Sequence, residues 1–229
     1  MEESDQTRGL PQPPLEIEPQ AGWKIIPLPV PNRLELGHVD LRRALEDRRS
    51  VRTYSEQPFT LAELSWLLWS CQGVKAVSNR PVTLRTVPSA GARHAFETYL
   101  LVNNVTGLEP GLYKFLAIDH TLAAVNLKAG IADRVADACY QQQFVKTCAV
   151  TFIFTAAAYR MYWRYGARGY RYLFLDAGHV SQNLYLAAEA FGGGACAIGA
   201  FYDDEINRIL DLDGQEQFVI YVTTTGKKP

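Results

Sequence analysis

No apolar run in this chain approaches the length needed to cross a bilayer, and the acidic, polar N-terminus lacks the apolar centre of a signal peptide. A soluble, cytoplasmic protein with no membrane partner is the expectation. Excess charge of either sign is also missing: 23 Lys and Arg stand against 24 Asp and Glu, for a net charge of −1 over 229 residues. Bulk attraction to nucleic acid is therefore not expected, because it grows with the number of phosphates neutralised. Cysteine is scarce. Cys71, Cys139, Cys148 and Cys196 lie far apart with no C-x-x-C and no zinc spacing. They read as buried thiols of a reducing compartment.

Other chemistries lack their residues as well. His38, His94, His120 and His179 are isolated from one another, so no metal site is expected. No Ser-His-Asp spacing and no G-x-S-x-G elbow occur, which speaks against a triad hydrolase. Gly192 to Ala197 formally fits G-x-G-x-x-A, but a helical pattern precedes it where a dinucleotide site needs a strand. Gly194 to Gly199 has phosphate-loop spacing without the following Lys-Ser/Thr. What remains there is a run almost bare of side chains, which either lets backbone approach a flat ligand or is a helix end followed by a small-residue strand.

Hydrophobic residues make up 48% and charged residues 21%, the balance of a globular domain. Residues 1–35 are rich in Pro and Glu and read as an extended arm; Trp23, Ile25, Ile26, Leu28 and Val30 equip it to lie on the body or a partner subunit, the alternative being a partly disordered tail. Residues 36–229 form a single domain. Asp40 caps a helix from Leu41 to about Asp47, with Leu41, Ala44 and Leu45 inward. Thr60-Leu61-Ala62-Glu63 is a capping box, with Leu61, Leu64, Leu68 and Cys71 on the buried face and Gly73 as the stop. Residues 75–95 read as loop. Strands are predicted over 97–102, 111–116, 121–127, 149–155 and 218–225, and helices over 130–140 and from Asp203 or Asp204. Tyr170 to Phe191 is the longest helix. It is apolar nearly all round, and so either central or at a subunit interface. The mixture lacks a βαβ rhythm, and α+β is the fold class.

Four stretches carry candidate chemistry. Arg48-Arg49-Ser50-Val51-Arg52-Thr53-Tyr54 places three guanidiniums and a hydroxyl within five positions, an anion site if it is not a solvated basic loop or a kinase-type Arg-Arg-Ser site. Alternation along an extended segment sends Arg48, Ser50 and Arg52 the same way. Pro88-Ser89-Ala90-Gly91-Ala92-Arg93-His94 is a small-residue turn with polar donors, its histidine solvated or hydrogen-bonded. Residues 163–172 interleave aromatics and arginines, which suits a planar organic ligand or an interface. The fourth is the small-residue run at 192–200.

In their order these stretches resemble the nitroreductase-like flavin oxidoreductases, and among them the SagB-type (thiazoline oxidase, azoline dehydrogenase) branch. Further matching pieces are Leu-Trp-Ser-Cys-Gln-Gly at 68–73, Leu-Glu-Pro-Gly-Leu-Tyr at 108–113, the Asp-Ala-Gly-His-Val-Ser-Gln-Asn run from 176, and Ala-Cys-Ala-Ile-Gly-Ala-Phe at 195–201. The resemblance implies a central, mostly antiparallel sheet flanked by helices, in an intertwined homodimer with FMN at the subunit interface. Arg48 and Ser50, with Arg49 nearby, would take the flavin phosphate and ribityl chain. Arg52 would face the N1 and O2 edge of the ring. Pro88, Ser89, Ala90 and Gly91 would come from the partner subunit, and Ile198, Gly199 and Ala200 would lie at flavin N5. Lys227 or Lys228 would add to the phosphate site. The implied activity is hydride transfer through N5 with a small organic substrate and NAD(P)H or a substrate C–H as donor. The azoline-oxidising branch carries a Lys-Tyr pair near the flavin. Here Arg164 and Tyr165 stand in its place, a departure that favours a stand-alone reductase or dehydrogenase over azole formation in peptide maturation. A flavin-binding protein without turnover and a phosphate-anchored binding module are the remaining expectations.

Overall fold

Seven strands form one antiparallel sheet in the computed structural model, which describes residues 3–31, 39–79 and 81–229. In chain order they are β1 (Ile25–Pro27), β4 (Phe96–Val102), β5 (Gly111–Leu116), β6 (Thr121–Asn126), β7 (Val150–Ala157), β8 (Gly193–Ile198) and β9 (Gln217–Lys227). They lie side by side as β1-β6-β5-β4-β7-β9-β8. A hairpin of β2 (Val74–Val77) and β3 (Thr83–Arg85) stands apart. The helices are α1 (Leu41–Asp47), α2 (Leu61–Gln72), α3 (Ile131–Ala138), α4 (Phe144–Thr147), α5 (Ala158–Tyr165), α6 (Gly169–Glu189) and α7 (Asp203–Ile209).

Helices cover both faces of the sheet, which is why the central strands are buried along nearly their whole length. Alternation in β4 sends Phe96, Leu100 and Val102 to one core and Tyr99 and Leu101 to the other. The first core is closed by Leu64, Leu67, Leu68 and Cys71 of α2 and by Leu173, Ala177, Val180 and Leu184 of α6. The second is closed by Ile131 and Val135 of α3 and Ile206 of α7. The caps fall where the residue types put them: Asp40 accepts from the Arg43 amide, and Thr60 and Glu63 form the reciprocal capping box. All four cysteines are buried and unpaired. No described helix is long and apolar enough to cross a membrane.

Two local expectations need correction, and two helices were not predicted. Residues 75–95 are not simply loop, because β2 and β3 pair there. The aromatic-arginine stretch begins as a helix, α5, whose amphipathic pattern was hidden by its large polar-tipped side chains. Ala158, Met161 and Trp163 are its buried face. The short helix α4 had no sequence signal at four residues long. Leu41 and Leu45 do not point inward: they are 64% and 53% exposed, because α1 buries only Ala44.

The arm lies along the body. Beyond the β1–β6 pairing, its backbone is recognised by buried charges. The Glu97 carboxylate accepts from the Ile17 amide at 3.0 Å and pairs with Lys114 at 3.0 Å and Arg160 at 2.6 Å. Lys114 also donates to the Ile17 carbonyl at 2.6 Å, and Arg160 Nε donates to the Pro14 carbonyl at 2.7 Å. Glu97, Lys114 and Arg160 are each at most 4% exposed. Charges so far from water persist only when paired and hydrogen-bonded. Glu97→Ala leaves two buried cations without a counter-charge and is expected to cost about 3–5 kcal/mol. Loss of the exposed Arg42–Glu46 pair should cost under about 0.5 kcal/mol. Urea midpoints of the two variants measure the contrast, and similar midpoints would refute a structural role for the Glu97 network.

Candidate functional site

The chain leaves α1 at Arg48 in extended form and runs beside β8. A parallel bridge joins Ser50 to Ala195, and the Val51 amide donates to the Ala195 carbonyl at 2.8 Å. Two inward side chains pin this segment. Val51 packs on Gly194, where an added Cβ would sit 2.6 Å from Val51 Cγ2. Tyr54 packs on Gly226 and donates to the Val51 carbonyl at 2.7 Å. With Val51 and Tyr54 turned in, Ser50 and Arg52 face out, and Arg48 is half-buried. The Arg48 guanidinium stacks on the Tyr185 ring, 5.3 Å from its centroid. Among the described residues no carboxylate pairs with Arg48, Arg49 or Arg52.

Tyr185 is a residue the sequence patterns did not single out. Its hydroxyl accepts from the Ala197 amide at 2.8 Å and lies 3.1 Å from Ser50 Oγ. It therefore ties α6, β8 and the arginine segment at one point. The only signal for it was a polar-tipped ring on the apolar face of α6. Next to it, burial pushes the Cys196 thiol upward, and the nearby Arg52 opposes the shift.

The second wall is the turn at 88–94. Gly91, Ala92 and His94 all have left-handed φ, at 58°, 52° and 44°. Such backbone costs about 1–3 kcal/mol at a non-glycine residue and persists only where its surroundings enforce it. Here the Ala90 amide donates to both carboxylate oxygens of Asp176 at 3.2 and 3.3 Å, and the His94 amide donates to Ser89 Oγ at 2.9 Å. Arg93, buried, stacks on Trp163. Burial raises the Asp176 pKa, against the hydrogen bonds from Ser89 and Ala90. Asp176 is a second residue whose part was not predicted; a buried aspartate within an apolar helix was the available clue. Gly91 abuts Arg164 and Tyr165, since a Cβ there would run into the Tyr165 hydroxyl and come within 2.8 Å of Arg164 Nε.

The predicted residues thus fall into groups. Arg48, Arg49, Ser50 and Arg52 lie beside β8, whose end carries buried Ile198 and exposed Gly199 and Ala200. A Cβ on Gly199 would meet nothing within 4 Å, so open space adjoins the backbone there. Ser89, Ala90 and Gly91 lie with Arg164 and Tyr165. Both groups hang on α6, through Tyr185 and Asp176, nine positions and about 14 Å apart along the helix axis. Lys227 and Lys228 lie at the glycine end of β8 and are engaged otherwise. Lys227 pairs with Glu63 and donates to the Phe191 carbonyl, and Lys228 pairs with Glu189. Of the isolated histidines, His120 bonds Ser65 at 2.7 Å and His179 lies 4.0 Å from Asp176. His38 lies outside the described residues.

The family model described as "Nitroreductase family" matches residues 45–227. A provisionally named nitroreductase of Methanocaldococcus jannaschii is 36% identical over 194 residues, covering 85% of this chain and 94% of its own. The trifolitoxin-processing protein TfxB of Rhizobium leguminosarum bv. trifolii is 30% identical over 133 residues, covering 56% of this chain and 36% of its own. A crystal structure of a provisionally named nitroreductase from Anabaena variabilis superposes with a TM-score of 0.70 at 30% identity, covering 83% of this chain. This chain spans only 38% of that protein.

Burial, with Arg85 and Arg93 adding to it, pushes the His94 pKa down to about 3 from an ordinary 6.5. Between those values the unfolded chain binds the proton and the folded protein does not. Stability should therefore fall as pH drops through this window, by at most about 1.4 kcal/mol per pH unit. Asp176 and Glu16, whose pKa values are raised by burial, contribute with the opposite sign. They remain in both proteins when wild type is compared with His94→Gln. Urea midpoints between pH 7 and 4.5 should decline less steeply in the variant; parallel declines would show that His94 is not the group.

Proposed function

The chain belongs to the nitroreductase family, and on that premise we propose that it is an FMN-dependent oxidoreductase that works as a homodimer on a small organic substrate. One observation carries this reading: the guanidiniums of Arg48, Arg49 and Arg52 have no carboxylate partner among the described residues, and they stand beside the Ser50 hydroxyl and the small-residue strand β8. This donor set suits an anion joined to a flat body. The guanidiniums match a phosphate, while open space at Gly199 leaves room for a ring edge.

FMN, when bound, supplies a centre that accepts and releases hydride at N5. The chain's residues bind, orient and polarise. Arg48 and Ser50, with Arg49, hold the phosphate and ribityl chain. Arg52 sets a fixed positive charge beside the N1 and O2 edge, where a reduced ring gains electron density. Pro88, Ser89, Ala90 and Gly91 form a wall kept rigid by Asp176. Ile198, Gly199 and Ala200 border the N5 edge without side chains in the way. Tyr165 stands at the substrate side as a proton donor or acceptor. Lys227 and Lys228 are secondary to the arginines, since each already has a carboxylate. NADH or NADPH is the donor that suits a reductase.

The homodimer is supported by apolar surface on helices next to the site. Phe174 and Leu175 of α6 are 67% and 55% exposed, and Leu41 and Leu45 of α1 are similarly bare. Trp66, Trp69, Leu186 and Ala190 line an apolar groove between α2 and α6. Two-fold packing would cover this surface. It would also let the 88–91 wall of one subunit serve the arginine segment of the other. The four buried, unpaired cysteines accord with the reducing cytoplasm.

The likeness to TfxB, a trifolitoxin-processing protein, supports a second reading in peptide maturation, with oxidation of an azoline ring to the azole as its chemistry. Arg164 weighs against it, because a guanidinium stays protonated and cannot take a proton from carbon.

The protein should purify yellow, and NADH or NADPH should bleach its absorbance under anaerobic conditions. Arg52→Ala should weaken flavin binding roughly ten- to a hundred-fold, the loss of a charge-assisted contact, and make the potential more negative. A colourless protein that takes up no added FMN would refute the proposal. Bleaching by a C–H donor alone would favour the azoline reading.

A further inference from the structure

We infer, on the basis of the flavin reading above, that the N-terminal turn at residues 4–10 and the end of α5 together build the substrate pocket, and that this pocket takes a planar aromatic carboxylate. A cavity of about 540 Å³ lies between them. Ser4 and Thr7 line it from the arm, and Arg164, Tyr165, Arg168 and Tyr172 line it from the body.

The arm side is an ordered wall. The Gln6 amide donates to the Trp163 carbonyl at 2.8 Å, and Trp163 Nε1 donates back to the Leu10 carbonyl at 2.9 Å. The Tyr159 hydroxyl donates to Asp5 at 3.1 Å, and the Ser4 amide donates to Thr7 Oγ1 at 3.1 Å. The body side is aromatic and cationic. Tyr165 and Tyr172 meet edge to face at 4.8 Å, and the Arg164 guanidinium lies 5.6 Å from the Tyr165 ring centroid. Among the described residues no carboxylate lines the cavity. The nearby Asp5 is already engaged by Arg8 and Tyr159. Neither Arg164 nor Arg168 has an ion-pair partner among the described residues.

These features select by shape and charge together. Tyrosine faces and the Arg164 guanidinium plane accept a flat ring, and the Arg168 guanidinium accepts its carboxylate. The cavity adjoins Gly91 through Arg164 and Tyr165, so a ring held there lies against the wall assigned to the flavin. The arm thereby determines specificity, since without residues 4–10 the cavity has one side only.

Benzoate and benzamide, alike in shape and different in charge, test this by titration calorimetry on the purified full-length protein. Flavin content of the same samples is read by absorbance. Benzoate should bind at least ten-fold more tightly than benzamide. Arg168→Gln should bring the two within three-fold, and Thr7→Trp, which fills the cavity from the arm side, should weaken both at least ten-fold. Equal affinities in the wild type, a preference that survives Arg168→Gln, or binding indifferent to Thr7→Trp would overturn the inference. A flavin-loaded protein without the preference removes the pocket alone. A protein that takes up no flavin yet shows the preference keeps the pocket and removes the flavin reading.

Discussion

The site depends on one arrangement: α6 packs one face against the sheet, and two buried polar groups on it hold the backbone of distant segments. Asp176 receives the Ala90 amide, and Tyr185 receives the Ala197 amide. Both side chains are largely removed from water, at 5% and 9% exposure. Each is therefore stable only with its partner in place. The helix thus fixes the 88–94 turn at one point and the arginine segment with β8 at another. Their separation within one chain follows from the helix rise.

Strain and small residues cluster at the same places. The left-handed residues of the 91–94 turn are held by the Ala90–Asp176 and His94–Ser89 hydrogen bonds and by the packing of Arg93 on Trp163. The glycines of β8 and β9 have a different cause. Gly194 and Gly226 are bare because Val51 and Tyr54 press on them, and that pressure turns Ser50 and Arg52 outward. The small-residue run is thus in part a packing surface for the arginine segment. Gly199 differs from them in facing open space.

Buried charge anchors the N-terminal arm. Glu97, Lys114 and Arg160 need backbone donors and acceptors to remain ionised out of water, and the arm supplies them at Pro14 and Ile17. The arm is anchored by this polar recognition as well as by Leu28, which is buried in the first core. The same anchoring carries residues 4–10 to the end of α5, beside Arg164 and Tyr165.

Most of the secondary structure was legible in the sequence, because its signals are local. The Asp40 cap, the Thr60 capping box, the apolar face of α2 and the alternation in the central strands each lie within a few residues. The alternation that puts Ser50 and Arg52 on one side was legible for the same reason, while its outward direction came from the packing of Val51 and Tyr54. Elements with weaker local patterns were missed, among them α4, α5 and the β2–β3 hairpin. The outward direction of Leu41 and Leu45 was missed because a stripe of leucines does not say what covers it. The parts played by Tyr185 and Asp176 could not be read, since their partners lie 12 and 86 positions away. The Glu97 network joins residues 80 positions apart. The sequence by itself determined most of the helices and strands, and the shared face of Ser50 and Arg52, through periodicity and caps. Only the tertiary structure decided which polar groups meet inside, because burial makes each partner obligatory while no local pattern names it.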